Sequence, residues 1–170
     1  MRTRRARAED VEAIARLIEH YAAEGLLLAR SRDEIHARLD RFLVLVDDAK
    51  IAGCVALESY GPDLAEIRSI AIEPAAHGKG HGGRLLRAAM REARRRGYVR
   101  VFAVTHAADF FLRHGFETVD RRTLSEKIER DCAGCAQAAK CRLMGVVATV
   151  AVRPMILPVL AGEALPVLSS

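Results

Sequence analysis

Ile70-Ala-Ile-Glu-Pro-Ala-Ala-His-Gly-Lys-Gly-His-Gly-Gly-Arg-Leu-Leu86 is the stretch from which the rest of this chain can be read. The residues leading into it, Ala65 to Ile72, are apolar and β-branched in the manner of a buried strand. Pro74 ends that strand, and His77 to Gly83 then hold four glycines in seven residues. From Arg84 the spacing turns helical. Leu85, Ala89 and Ala93 recur every fourth residue with Leu86 and Met90 beside them, and basic residues face the other way. Arg94, Arg95 and Arg96 suit the negative end of a helix dipole, and Gly97 suits the residue just past it. Strand, glycine loop and helix N-terminus together make an anion site. The glycines admit close approach, the first amides of the helix lack partners, and the dipole favours phosphate.

The spacing excludes two common phosphate loops. A P-loop requires Gly-x4-Gly-Lys-Ser/Thr, whereas Lys79 here precedes the last glycines and no hydroxyl follows it. A dinucleotide fingerprint requires Gly-x-Gly-x-x-Gly early in a βαβ unit, whereas this loop reads Gly78-Lys-Gly80-His-Gly82 in mid-chain. The loop resembles the acetyl-CoA pyrophosphate loop of the GNAT N-acetyltransferase superfamily, Arg/Gln-x-x-Gly-x-Gly/Ala. His77, Gly80 and Gly82 take those places, with histidine where the family carries arginine or glutamine.

Length and composition bound the answer. The 170 residues suit one domain with a sizeable core, and 51% of them are hydrophobic, which excludes a disordered chain. A net charge of +5 is a modest basic surface suited to phosphorylated or acidic small molecules. Aromatic residues are not interleaved with basic ones, which argues against nucleic acid. The arginine-rich N-terminus runs into Glu9, Asp10 and Glu12 with no apolar core, so no signal peptide is expected. The apolar end is interrupted by Arg153, Pro154 and Pro158, so no membrane span is expected either, and the expected compartment is the cytoplasm. Four cysteines without a secretory signal favour reduced thiols or a metal over disulfides.

Taken in order, the chain predicts a strand at 2–7, a helix at 9–24, and a second helix from about Ser31 to Arg41 opened by a Ser31/Glu34 capping box. A hairpin of strands follows at 42–46 and 51–60, joined across Asp47 to Lys50. The central strand (65–72) and the long helix (80–96) come next. A strand at 100–105, a short helix at 107–114, a strand after Gly115, a helix at 124–132 and a strand at 143–152 complete the pattern. This order implies an α/β fold with a mixed sheet flanked by helices, as the GNAT resemblance also does. Residues 1–152 are expected to form the domain and 153–170 a loosely packed tail.

Further stretches narrow the resemblance. Thr105 to Phe116 is similar to the GNAT segment in which a short helix ends in Gly-Phe. In many members a tyrosine there protonates the departing CoA thiolate, and this chain has Phe111 in that place. Glu24 to Ser31, Ala65 to Ile72 and Leu124 to Ile128 resemble the short, single-domain N-acetylglutamate synthases. Some close relatives share the Asp131-Cys132-x-x-Cys135 and Cys141 segment. The resemblance implies acetyl-CoA as co-substrate and L-glutamate as acceptor, in the first step of arginine biosynthesis. An acetyltransferase for another amine, or a non-catalytic acyl-CoA-binding regulator, stays open, as does a homodimer.

Acetyl transfer to an amine requires a held thioester, a deprotonated amine and a stabilised oxyanion. By resemblance, Ile70, Ala71 and Ile72 hold the pantetheine arm and the acetyl group. His77, Gly78, Lys79, Gly80, His81, Gly82 and Gly83 hold the pyrophosphate, with Phe111 nearby. Glu66 is the candidate general base, acting through a water, against the alternative of a strand carboxylate paired with Arg68. Thr105 is a candidate to position that water or the thiolate. For the acceptor carboxylates, Arg30 leads, because a guanidinium meets a carboxylate with two parallel hydrogen bonds, followed by Lys127 and Arg130; Leu28 and Ser69 line the site by resemblance. No metal is needed for this chemistry. Cys132, Cys135 and Cys141 form a zinc half-site one ligand short, with free thiols and a redox pair as the alternatives.

Overall fold

Strands β1 (Arg2–Arg5), β2 (Phe42–Asp47), β3 (Lys50–Ser59), β4 (Leu64–Ile72), β5 (Arg100–Thr105), β6 (Glu117–Val119) and β7 (Met144–Thr149) make one sheet in the computed structural model. The structure describes residues 1–135 and 141–150. Strand order is β1-β2-β3-β4-β5-β7-β6, and among the described residues β4 with β5 is the one parallel pair. The helices are α1 (Val11–Ala23), α2 (Arg32–Ala37), α3 (His81–Arg95), α4 (Ala108–Leu112) and the single turn α5 (Ser125–Lys127), which widens into a π-helical turn over Ile128–Cys132.

Helices cover both faces of the sheet, which is why β2 is apolar at consecutive positions. Leu43 and Leu45 point to the face where Leu85, Leu86, Ala89 and Ala93 of α3 and Phe111 of α4 pack. Phe42, Val44 and Val46 point to the other, against Ile14, Leu17 and Ile18 of α1 and Ile35 of α2. Leu85, Leu86, Ile14 and Ile18 are at most 1% exposed, and each contributes roughly 1.5–3 kcal/mol of burial.

The expected elements form, with three differences. The first helix opens with a 3-10 turn at Ala8–Asp10. The second is capped as expected, Ser31 Oγ accepting from the Glu34 amide and Glu34 accepting from the Ser31 amide. It ends at Ala37, however, and tightens into a 3-10 turn at Leu39–Arg41. The segment expected as a regular helix at 124–132 is instead the α5 and π-turn pair. There Lys127 and Asp131 both bond into a buried cluster beneath them. The end of the last expected strand and the tail at 153–170 lie outside the described residues.

The site is positioned by a fault in β4. Cys54 of β3 faces Ala71 while Ala56 faces Arg68, so β4 carries one extra residue, and Ser69 takes a left-handed φ of 49°. Ala65 and Ile67 point to the α3 face before the bulge, and Ile70 and Ile72 point there after it. A regular strand would have turned Ile70 to the opposite face. On its other side β4 pairs with β5 only from Leu64 to Glu66. Beyond Glu66 the two strands part, and a cleft opens between them.

Candidate active site

The cleft has a volume of about 690 Å³ and is lined by Ile70, Ala71 and Ile72 of β4, by the loop glycines and by Thr105 and Phe111. Gly80 caps α3 with φ 74°, a conformation that any L side chain adopts at a cost of roughly 1–2 kcal/mol. That turn leaves the first amides of the 15-residue α3 pointing at the loop mouth. Four histidines (His77, His81, His106, His114) and two arginines (Arg87, Arg113) also line the cleft, and no acidic side chain does among the described residues. Phosphate is the ligand chemistry this wall favours.

The expected cofactor residues converge here with one exception. Lys79 turns back to the Ala75 carbonyl, 3.3 Å away, and does not line the cleft. His77 is tied down: its Nε2 lies 2.6 Å from the Tyr21 hydroxyl, which donates to the Ile72 carbonyl at 2.5 Å. Thr105 Oγ1 accepts from the Ala107 amide at 2.9 Å, and its hydroxyl donates to no partner among the described residues. Phe111 is 2% exposed and packs edge-on against Phe110 and Phe116. Tyr21, Leu26, Leu27, Arg87, His106, Phe110, Arg113 and His114 line the cleft without having been singled out in the sequence. They come from three separate stretches, 21–27, 87 and 106–114, and although two of these overlap the segments that carry the resemblance, nothing in the spacing marks the individual residues as cleft-lining.

On the other side of the bulge lies a small cavity of about 20 Å³, lined by Arg30, Arg38, Arg41, Arg68, Glu58 and Ser69 among others. Ser69 belongs to this cavity and Ile70 to the cleft, so the two sites meet at the bulge. Glu58 is 6% exposed. Burial alone would raise its pKa, but the hydrogen bond and charge of Arg41, with Arg130 and Arg68, more than offset this and hold it below the usual range. Arg30 is held less well. Its side chain is 20% exposed, and its one ion pair among the described residues reaches Glu34 at 4.0 Å. Burial, and then the like charge of Arg68, pull its pKa down.

Behind the cavity is a buried ionic cluster. Glu66, 3% exposed, receives Tyr60 Oη at 2.9 Å, Lys127 Nζ at 3.0 Å and Arg68 Nε at 3.2 Å, all on Oε2. Among the described residues no hydrogen bond reaches its Oε1. Asp131 takes Lys127 at 2.7 Å, Arg68 at 2.9 Å and the Tyr60 hydroxyl. Burial would raise the Asp131 pKa, yet the hydrogen bonds from Lys127 and Tyr60 and the charges of Lys127 and Arg68 hold it well below the usual carboxylate range. Burial, followed by the charge of Glu66, pushes the Tyr60 hydroxyl far up.

Three residues expected at the acceptor site do not line the small cavity. Lys127 is spent on Glu66 and Asp131. Arg130 lies over the Tyr60 ring, 3.7 Å from its centroid, and bonds to Glu58 and to the Ser59 carbonyl. Leu28 is 62% exposed and lines neither cavity. Cys132 is half-buried, Cys135 exposed, and Cys141 accepts from Arg121 at 2.5 Å. No group of three metal-capable side chains gathers among the described residues. Nor is any described helix long and apolar enough to cross a membrane.

Residues 38–118 match the acetyltransferase (GNAT) domain family. An N-acetyltransferase from Chlorobaculum tepidum is 35% identical over 86% of this chain and 94% of its own length. An amino-acid acetyltransferase from Mycobacterium tuberculosis is 34% identical over 74% of this chain and 73% of its own. Other amino-acid acetyltransferases are longer, and the chain spans 30% of the one from Neisseria meningitidis. The crystal structure of N-acetylglutamate synthase from Neisseria gonorrhoeae with coenzyme A and N-acetyl-glutamate superimposes with a TM-score of 0.80 at 30% identity, covering 88% of this chain and 35% of that one. The fold that carries this cleft is thus shared with a structure that holds coenzyme A. The chain belongs to the GNAT family of acetyl-CoA-dependent N-acetyltransferases.

Proposed function

We propose that the acceptor is the α-amino group of L-glutamate and the product N-acetyl-L-glutamate, the starting compound of arginine biosynthesis. The observation that carries this is Arg30. A guanidinium four-fifths buried, whose one ion pair among the described residues spans 4.0 Å and whose neighbours Arg68 and Arg38 carry like charge beside Glu34 and Glu58, is suited to take a further anion. The relatives supply a second support, since amino-acid acetyltransferases are among them and one neighbour holds N-acetyl-glutamate. The cavity at Arg30 has room for about one water, so admitting a carboxylate requires a side chain to move, and the exposed Arg38, 4.0 Å from Glu58, is the least tied.

The chemistry follows from the meeting of the two sites at the bulge. With a carboxylate on Arg30, the amine of the acceptor faces the thioester across Ser69 and Ile70. Glu66 Oε1 takes the ammonium proton through a water, its Oε2 being held by Tyr60, Lys127 and Arg68. The amine attacks the thioester carbonyl, and backbone amides of β4 freed by the splay stabilise the oxyanion. The C–S bond then breaks, the second amine proton passes to the departing thiolate to give CoA–SH and the neutral amide, and the Thr105 hydroxyl hydrogen-bonds that sulfur.

An acceptor screen with acetyl-CoA tests the proposal, reading free CoA thiol with L-glutamate, L-aspartate, L-glutamine, a polyamine and a peptide N-terminus. L-Glutamate is expected to give the highest kcat/KM. Absence of glutamate-dependent CoA release discards the assignment.

A further inference from the structure

One of the four cleft histidines stands where only a glycine leaves room. A Cβ built on Gly83 would collide with Nε2 of His114 and lie 3.3 Å from a guanidinium nitrogen of Arg87. Gly83 belongs to the first turn of α3, whose amides have no carbonyl partner within the helix. Two basic heads from two elements, His114 beyond α4 and Arg87 within α3, thus converge on the start of α3. A side chain at position 83 would hold both away.

The orientation of the ring is set. His114 Nδ1 is 2.8 Å from the Phe110 carbonyl, and a carbonyl only accepts, so Nδ1 carries a hydrogen and Nε2 faces Gly83. A neutral imidazole presents a lone pair there, which phosphate oxygens repel. An imidazolium presents an N–H. The charged or titratable groups sharing this wall are Arg87 and His81 on α3, Arg113 and His106 around α4, and His77 before the loop, with Tyr21 opposite. None is acidic. Without an anion, Arg87 disfavours a second positive charge beside it; with a phosphate between them, both are favoured.

We propose that His114 is a phosphate-binding residue for the CoA co-substrate that acts as the imidazolium, so that one proton is taken up when CoA binds. This rests on CoA occupying the cleft and is independent of the acceptor. An imidazole changes charge between about pH 5 and 8. Binding raises the pKa of the group, so the contribution of His114 is complete at the acid end and is lost as pH rises through the bound-state value. The phosphate is either the pyrophosphate or the 3′-phosphate of the nucleotide, and the two are separable.

Calorimetric titration of CoA at pH 6 and pH 8, in two buffers of different ionisation enthalpy, tests the proposal on the parent, His114→Asn and His114→Gln. Asparagine keeps a short donor toward Phe110, and glutamine reaches the Nε2 position without charge. The parent is expected to take up a proton and to bind CoA roughly tenfold more tightly at pH 6 than at pH 8. Both variants are expected to lose the proton uptake attributable to His114 and to bind at pH 6 about as the parent does at pH 8. Dephospho-CoA locates the contact: a parent–variant difference that persists places it on the pyrophosphate, and one that vanishes places it on the 3′-phosphate. Dephospho-CoA also removes the phosphomonoester's own titration near pH 6. The proposal is overturned if the parent takes up no proton, or if a variant with parental melting temperature keeps the parental uptake and pH dependence.

Discussion

Glu66 divides its labour between two oxygens. Oε2 accepts from Tyr60, Lys127 and Arg68, while Oε1 has no partner among the described residues. A purely structural carboxylate and a general base thus make different predictions for one substitution. Glu66→Gln removes an anion from beside Lys127, which keeps Asp131 at 2.7 Å. The loss of stability is therefore expected at about 1–3 kcal/mol, the range for hydrogen bonds to charged groups, and is read from thermal melting. A base adds a second effect: kcat falls at neutral pH and its rise with pH is altered, while affinity for acetyl-CoA hardly moves. Lower stability together with wild-type turnover and an unaltered pH profile would leave Glu66 a structural residue.

Among the elements, those that sequence periodicity describes well are the ones whose partners are generic. The long helix α3 carries its apolar residues four apart, and any flat apolar surface satisfies them, so it forms where expected. The bulge in β4 was not legible. Arg68-Ser69-Ile70 contains no glycine to mark the positive φ at Ser69, and the extra residue shows only in the pairing with Cys54 and Ala56. The segment after Leu124 read as a plain helix because its spacing is helical. Its actual form answers to charges distant in sequence, since Lys127 and Asp131 meet Glu66 and Tyr60 some 60 to 70 residues away. That anchorage predicts a pH effect. The Asp131 pKa is lowered in the fold, so its stabilisation is present above the unfolded value near 3.9 and is lost as pH falls through the lower folded value. Asp131→Asn is expected to be less stable than the parent by roughly 1–3 kcal/mol at pH 7, and the gap should shrink below about pH 4. Urea unfolding at pH 7, 4 and 3 measures it, and a gap that stays constant would show that Asp131 anchors nothing through its charge.

At the scale of the whole molecule, the fold places a phosphate-suited cleft and an arginine-lined cavity on either side of one bulge, each with its own lining. The cleft was legible because a glycine loop and a helix start are contiguous in sequence. The cavity was legible only at Arg30 and Ser69. Arg38, Arg41 and Arg68 carry no local signature among 27 lysines and arginines, and only the folding of β2, β3 and β4 against α2 gathers them. The separation of linings makes the last prediction selective. If the Arg30 guanidinium binds an acceptor carboxylate, Arg30→Ala removes a charge-assisted pair of about 1.5–3 kcal/mol, roughly tenfold to more than a hundredfold in kcat/KM for L-glutamate. Arg30→Lys should restore only part, because an ammonium lacks the planar fork. Affinity for acetyl-CoA should be unchanged in both, since Arg30 lines the cavity and not the cleft. Steady-state titration of L-glutamate, with calorimetry of CoA alongside, separates the outcomes. A matching loss of CoA affinity would mean that the substitution disturbs the fold across the bulge, and equal efficiency in all three proteins would remove Arg30 from the acceptor site.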